Sequence, residues 1–128
     1  MKFTTILALL PLALAAPPAE ARDLSARATP GNVWVCAGAG WAEPCQLLTV
    51  GLNNCMEIPE PQFSSIGSIG PDPGALCRLF DGSATGTNKC TGSGLAIESA
   101  PGNNHLYDAP SYAGYKAKYI SCISCEDC

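Results

Sequence analysis

The sequence predicts an all-β domain, two Greek-key units packed as a sandwich and braced by disulfides. Three observations lead there. No stretch of the exported chain sustains a helical apolar period over three turns, while all 13 glycines and eight of the 11 prolines punctuate residues 28–128 at short intervals. Segments with strand character recur in the same order on either side of Pro71-Asp72-Pro73-Gly74. All eight cysteines fall in residues 28–128, a density that in a small exported chain points to cross-links supplementing a modest core.

Residues 1–16 read as a secretory signal peptide, with Lys2 ahead of the uncharged run ILALLPLALAA and small residues at its end. A membrane span needs about 20 apolar residues. Here Pro17, Pro18, Glu20, Arg22 and Asp23 end the run too soon, so the expected product is exported without membrane insertion. Residues 17–27, PPAEARDLSAR, lack any period and read as a propeptide or disordered linker. Cleavage after Arg27 is one expectation, and an arm that stays attached is the other. Residues 28–128 form the single cysteine-rich β domain, expected as a monomer. Nine acidic side chains oppose four basic ones there, a net charge of −5. That balance repels phosphate backbones and anionic lipid, which excludes nucleic acid and membrane surfaces as primary partners.

The strands follow from residue type. Residues 33–36 (VWVC) form the first, 37–40 a glycine-rich loop, 46–50 (QLLTV) the second, 55–58 the third and 66–70 the fourth. Pro71-Asp72-Pro73-Gly74 cannot continue helix or strand, so it turns the chain between the halves. Residues 77–80 then restart the pattern, followed by a Gly/Ser/Thr loop at 81–89 and strands at 94–98 and 118–122. Four strands per half in the same order is the expectation. Cys36 matches Phe80 at a spacing of 44, Cys45 matches Cys90 at 45, and each half closes on a serine in an Ile-rich strand, Ser68 and Ser121. The second half adds a long loop, residues 100–114; loops of that length are more often functional than short turns.

With Trp41 five residues after Cys36 and SSIGSIGPDPGALCRLF as a joint between two units, the chain resembles the βγ-crystallin-like domains, in particular small secreted fungal members. The resemblance covers residues 33 to 125 and implies a sandwich of two Greek keys. Its aromatic-x-Gly corner is altered here, since Glu43 stands where Gly is expected and Thr85 and Thr87 replace the aromatic and the Gly in the second half. The first corner must therefore be built differently. Where the family has chemistry, the resemblance implies calcium held by (N/D)(N/D)xx(S/T)S turns. The matching residues, 63–68 and 116–121, keep no carboxylate, and Lys116 places a cation there. Calcium takes six to eight oxygens, usually including carboxylates. No metal and no cofactor is therefore expected.

Cys36 and Cys45 flank one hairpin, Cys77 and Cys90 another, while Cys122, Cys125 and Cys128 form a C-terminal CISCEDC. Sequence cannot choose among the pairings of eight cysteines. The preferred arrangement keeps the cysteines from Cys36 through Cys90 all tied within the β core, with Cys55 reaching the tail. A metal or redox role for the tail is the alternative, and an oxidising compartment favours structural disulfides. No adjacent Cys-Cys doublet occurs, which argues against a hydrophobin-like coat protein.

Catalytic patterns are sparse, and no enzyme is expected. His105, the one histidine, sits in a Gly/Asn-rich loop; Glu57 and Glu60 lie in MEIPEP, where flanking prolines suggest solvated carboxylates; no GxSxG elbow occurs. The better signal is the cluster Tyr107, Tyr112, Tyr115 and Tyr119 beside Asn103, Asn104 and His105, residue types suited to adaptable contacts. Tyr115 and Tyr119 are expected in the core, and Tyr107 and Tyr112 at the surface. The expected binding set is Asn103, Asn104, His105, Tyr107 and Tyr112. The expected function is that of a secreted, non-enzymatic module, effector, toxin-like or antimicrobial, whose loops meet an extracellular protein or cell-surface target. The resemblance also brings in killer toxins and microbial protease inhibitors, so fold alone permits several targets. A small hydrolase centred on His105 and a structural matrix or cell-wall protein are the alternatives.

Overall fold

The computed structural model describes residues 29–128; the expected signal peptide, the 17–27 segment and the expected cleavage after Arg27 lie outside the described residues. Seven strands build two antiparallel sheets. The first sheet joins β2 (Cys45–Thr49), β1 (Asn32–Cys36) and β4 (Ser68–Pro71) in that order. The second runs β3 (Cys55–Glu57), β7 (Tyr119–Ser124), β5 (Ala75–Phe80) and β6 (Ala96–Ser99). Short 3-10 turns at Ala39–Trp41 and Ala113–Tyr115 complete the elements.

Strand alternation determines what is buried. In β1, Val33 and Val35 point inward at 0% exposure while Trp34 between them is 42% exposed. Leu48 of β2, Ile69 of β4, Ala75, Cys77 and Leu79 of β5, and Ile120 and Cys122 of β7 supply the rest of the two inner faces. Each fully buried aliphatic side chain contributes about 1.5–3 kcal/mol. Ile58, Ile66, Leu106, Ala113 and Ala117 close the end of the sandwich from the loops. The buried amide of Gln62 is satisfied: its Nε2 donates to the Pro44 carbonyl at 2.8 Å and its Oε1 accepts from Gln46 Nε2.

The expected turn is present. β4 ends at Pro71 and β5 begins at Ala75, with Gly74 at φ 100°, a conformation that strongly favours glycine. The two halves repeat one pairing order, β1 lying between β2 and β4 as β5 lies between β6 and β7, and they are aligned at the ends of β1 and β5. β1 sets Cys36 opposite Ser68, and β5 sets Phe80 opposite Tyr119, so Cys36 and Phe80 are counterparts as expected. Other correspondences need correction. Cys45 faces Cys36, whereas the residue that the β5–β6 register brings beside Phe80 is Leu95, just ahead of β6, whose N–H donates to the Leu79 carbonyl at 2.7 Å. A longer loop therefore separates Cys90 from the place of Cys45. Likewise Ser68 corresponds to Tyr119, not Ser121, and residues 63–68 to residues 114–119.

The second half contributes three strands, not four. β3, from the first half, crosses to pair with β7 in the second sheet. The reciprocal position beside β4 is reduced to one bridge, Ile69 with Asn103, inside the long loop. Ile66 and Gly67, expected in the fourth strand, instead form the turn before it and donate to the Gly114 and Cys36 carbonyls. At the first corner, Gly40 (φ 67°) and Trp41 (φ 64°) make the left-handed bend in place of the missing glycine at position 43.

All eight cysteines are bridged, but the preferred pairing is overturned. Cys36–Cys45 and Cys77–Cys122 each join directly opposed residues on neighbouring strands, with Cα atoms 4.0 Å apart. Cys55 does not reach the tail. It bonds Cys90, pinning the 81–95 loop to β3, while Cys125–Cys128 closes on itself within the tail. Strand swapping explains the difference, because β3 brings Cys55 beside the second half.

Candidate functional site

The 100–114 loop is the expected binding element, and the structure shows how it is held. Asn103 exchanges both backbone hydrogen bonds with Ile69 at 2.8 Å, so the loop begins as an added edge on β4. Leu106, 4% exposed, anchors its middle; its N–H donates to Gly67, and its carbonyl accepts from Gly114. The Tyr107 phenol donates to the Ala37 carbonyl, and its ring stacks on Tyr115 with centroids 4.4 Å apart. Gly40 N–H donates to the Asn104 carbonyl at 2.8 Å, tying the long loop to the Ala39–Trp41 turn. Burial pushes the Tyr107 phenol above its ordinary value, with a Ser65 hydrogen bond opposing and Tyr115 reinforcing the shift.

These contacts sort the predicted residues. Asn104, His105 and Tyr112 are exposed together, with Tyr112 at 47%. Asn103 is half-buried and structural: its Nδ2 donates to Glu98 Oε2 at 3.3 Å and its Oδ1 accepts from His105 N–H at 2.8 Å. Tyr107, expected at the surface, is a half-buried brace. Tyr115, expected in the core, is 61% exposed, because its ring lies on the outside of Tyr107. Tyr119 is half-buried on β7, above Gly82. Burial holds the Glu98 carboxyl above its ordinary value, partly offset by the Asn103 hydrogen bond and by His105.

His105 Nδ1 lies 2.9 Å from Asn104 Oδ1, a neutral amide that supplies neither a nucleophile nor a carboxylate to a catalytic triad. Glu57 and Glu60 are exposed and border a shallow depression with Ile58, Pro59 and Phe63. Among the described residues no cluster of three or more His, Cys, Asp or Glu side chains is placed to hold a metal ion, and no helix is long and apolar enough to cross a membrane.

A second surface lies outside the loop. Leu47, Trp34 and Trp41, at 51%, 42% and 39% exposure, share the outward face of the first sheet. The alternation Val33-Trp34-Val35 is the sequence signal that marks it, since it puts Trp34 opposite two core valines.

No family model matches this chain, and no curated protein matches it. Among solved structures it is similar to the βγ-crystallin domain of Abundant Perithecial Protein from Neurospora crassa, determined in its Ca2+-bound form. The identity is 8%, the TM-score 0.53, and the match covers 77% of this chain and 94% of that one. Together with the swapped strands and the two repeated halves, this gives the chain the fold of a βγ-crystallin domain.

Proposed function

We propose that the chain is a secreted, non-enzymatic binding module that meets an extracellular protein or cell-surface target through Asn104, His105, Tyr112 and Tyr115, as an effector, toxin-like or antimicrobial protein. The observation that carries this reading is the bracing of the 100–114 loop by the Ile69–Asn103 bridge and the Tyr107–Tyr115 stack. A loop ordered before binding loses little conformational entropy on contact, and exposed tyrosines supply rigid, amphipathic contact area. Four bridges and a leader of secretory type support export.

Calcium does not fit. Residues 63–68 and their structural counterparts 114–119 contain no carboxylate, and Lys116 and Lys118 fall in the second set. The reading is tested with labelled exported protein on intact cells. The double variant Tyr112→Ser/Tyr115→Ser should lose cell retention while keeping its circular dichroism spectrum, whereas His105→Ala should abolish no turnover on ester, peptide or glycoside substrates. Undiminished retention in the double variant would refute the loop surface, and turnover that depends on His105 would establish a hydrolase.

A further inference from the structure

The outward face of the first sheet gathers both tryptophans of the chain. Ladder pairing sets Leu47, Trp34 and Gly70 side by side across β2, β1 and β4. Trp41 arrives from its 3-10 turn, with its backbone N–H donating to Ser68 Oγ at 2.8 Å, and its ring lies over Gly70. A Cβ at Gly70 would stand 3.2 Å from Trp41 Cη2, so the glycine makes the seat for the indole. The next row on the same face is polar, Thr49 opposite Asn32. Of the residues the ladders place on this face, Asp72 beside Asn32 alone carries charge, and it is 6% exposed with Oδ2 accepting from Thr29 N–H.

We propose that this face binds an uncharged polysaccharide chain, with pyranose rings lying on Trp34 and Trp41, Leu47 extending the apolar strip, and Asn32 and Thr49 hydrogen-bonding the ring hydroxyls. Three considerations select that occupant. A pyranose has apolar C–H faces and a hydroxyl rim, which matches an aromatic strip with polar residues along one side. The strip measures about 10 Å across three strands, and its polar row lies about 7 Å further along them. A second copy or a protein partner needs about 800 Å² on each side, several times more. Finally, a face without cationic side chains, on a domain with nine acids and four bases, offers nothing to an anionic polymer or anionic lipid. The proposal goes beyond the loop surface and does not depend on it, because Tyr112 and Tyr115 play no part in the strip.

Tryptophan fluorescence reads this face alone, since both indoles lie on it. The purified exported protein is titrated with hexaoses of (1→4)-β-glucan, (1→3)-β-glucan and chitin. A saturable emission change with at least one of them is expected, with the same Kd at about 50 and about 500 mM NaCl. Trp34→Ala and Leu47→Asp should each weaken binding roughly tenfold or more, and Trp34→Phe should restore most of it. Ile97→Ser, on the outward face of the other sheet, should leave it unchanged. No saturable change with any of the three sugars overturns the proposal, as does equal weakening by Ile97→Ser. Binding of these uncharged sugars that weakens markedly at the higher salt also overturns it, because stacking on the tryptophans leaves no ionic contact to screen. Sedimentation showing a dimer that Trp34→Ala abolishes overturns it in favour of a second copy.

Discussion

Replacing the Cys77–Cys122 pair by two alanines should be the most damaging of the four disulfide deletions. The bridge spans 45 residues, joins β5 to β7 at the centre of the larger sheet, and has both partners at 0% exposure. Chain entropy alone assigns a loop of that length about 4 kcal/mol. The same relation gives about 3.8 kcal/mol for Cys55–Cys90, with a separation of 35, and about 2.6 kcal/mol for Cys36–Cys45, with a separation of 9. Deleting Cys125–Cys128, three residues apart in an exposed tail, should cost least, because that tail contributes no buried hydrophobic side chain to restrain. For a domain of this size, about 4 kcal/mol corresponds to roughly 15–30 °C in Tm. Differential scanning calorimetry of the four double variants, after peptide mapping of the remaining bridges, gives the order directly. A Cys77→Ala/Cys122→Ala protein that melts above Cys36→Ala/Cys45→Ala, or a map pairing Cys55 with the tail, would refute the reasoning.

Other expectations follow from packing and charge. A Cβ at Gly67 would run into the backbone of Gly38 and Ala39, so Gly67→Ala should cost about 3 kcal/mol; Gly86→Ala, which meets nothing, should stay within about 0.5 kcal/mol. Both are read by urea unfolding. Tyr107→Phe removes the hydrogen bond to Ala37 and should cost about 1 kcal/mol, with faster amide exchange at Leu106 and Gly114 if the phenol is the brace. Because burial raises the native Glu98 carboxyl, the native state prefers it protonated. The penalty is absent below the ordinary glutamate range, grows as pH rises through that range to the raised native value, and persists above it. Glu98→Gln keeps an acceptor for Asn103 and should therefore raise Tm at about pH 7 while leaving it unchanged at about pH 3. An equal shift at both would refute the assignment.

What sequence could and could not reveal follows from the range of each interaction. The alternation of Val33 and Val35 with Trp34, and the arrest at Pro71-Asp72-Pro73-Gly74, are set by neighbouring residues and were therefore legible. So was the correspondence of Cys36 with Phe80, which needs only the strand order to repeat. The destination of β3 depends on a pairing with residues more than 60 positions away, Cys55 with Ser121, and no local pattern encodes it. The disulfide map failed for the same reason, since Cys55 meets Cys90 only after the crossing. At the loop, residue type identified a cluster of tyrosines but not its order of layers. Which of Tyr107 and Tyr115 lies inside was decided by a contact with Ala37, 70 residues earlier in the chain. The tryptophan face was locally encoded, yet its breadth depends on Leu47 and Trp41 converging from separate elements.

The exchange of β3 also governs how the protein can be assembled. Two polypeptides made separately, divided within the Pro-Asp-Pro-Gly turn and each lacking its partner for the Cys55–Cys90 bridge, would leave the first holding a strand with no sheet to join, and the second a sheet with an open edge on β7. Neither piece should fold alone, and mixing them should restore the whole by fragment complementation. In the intact chain the same dependence delays the reward for folding until both halves have been synthesised, so native structure should form after translation is complete, at a pace set by closure of the four disulfides.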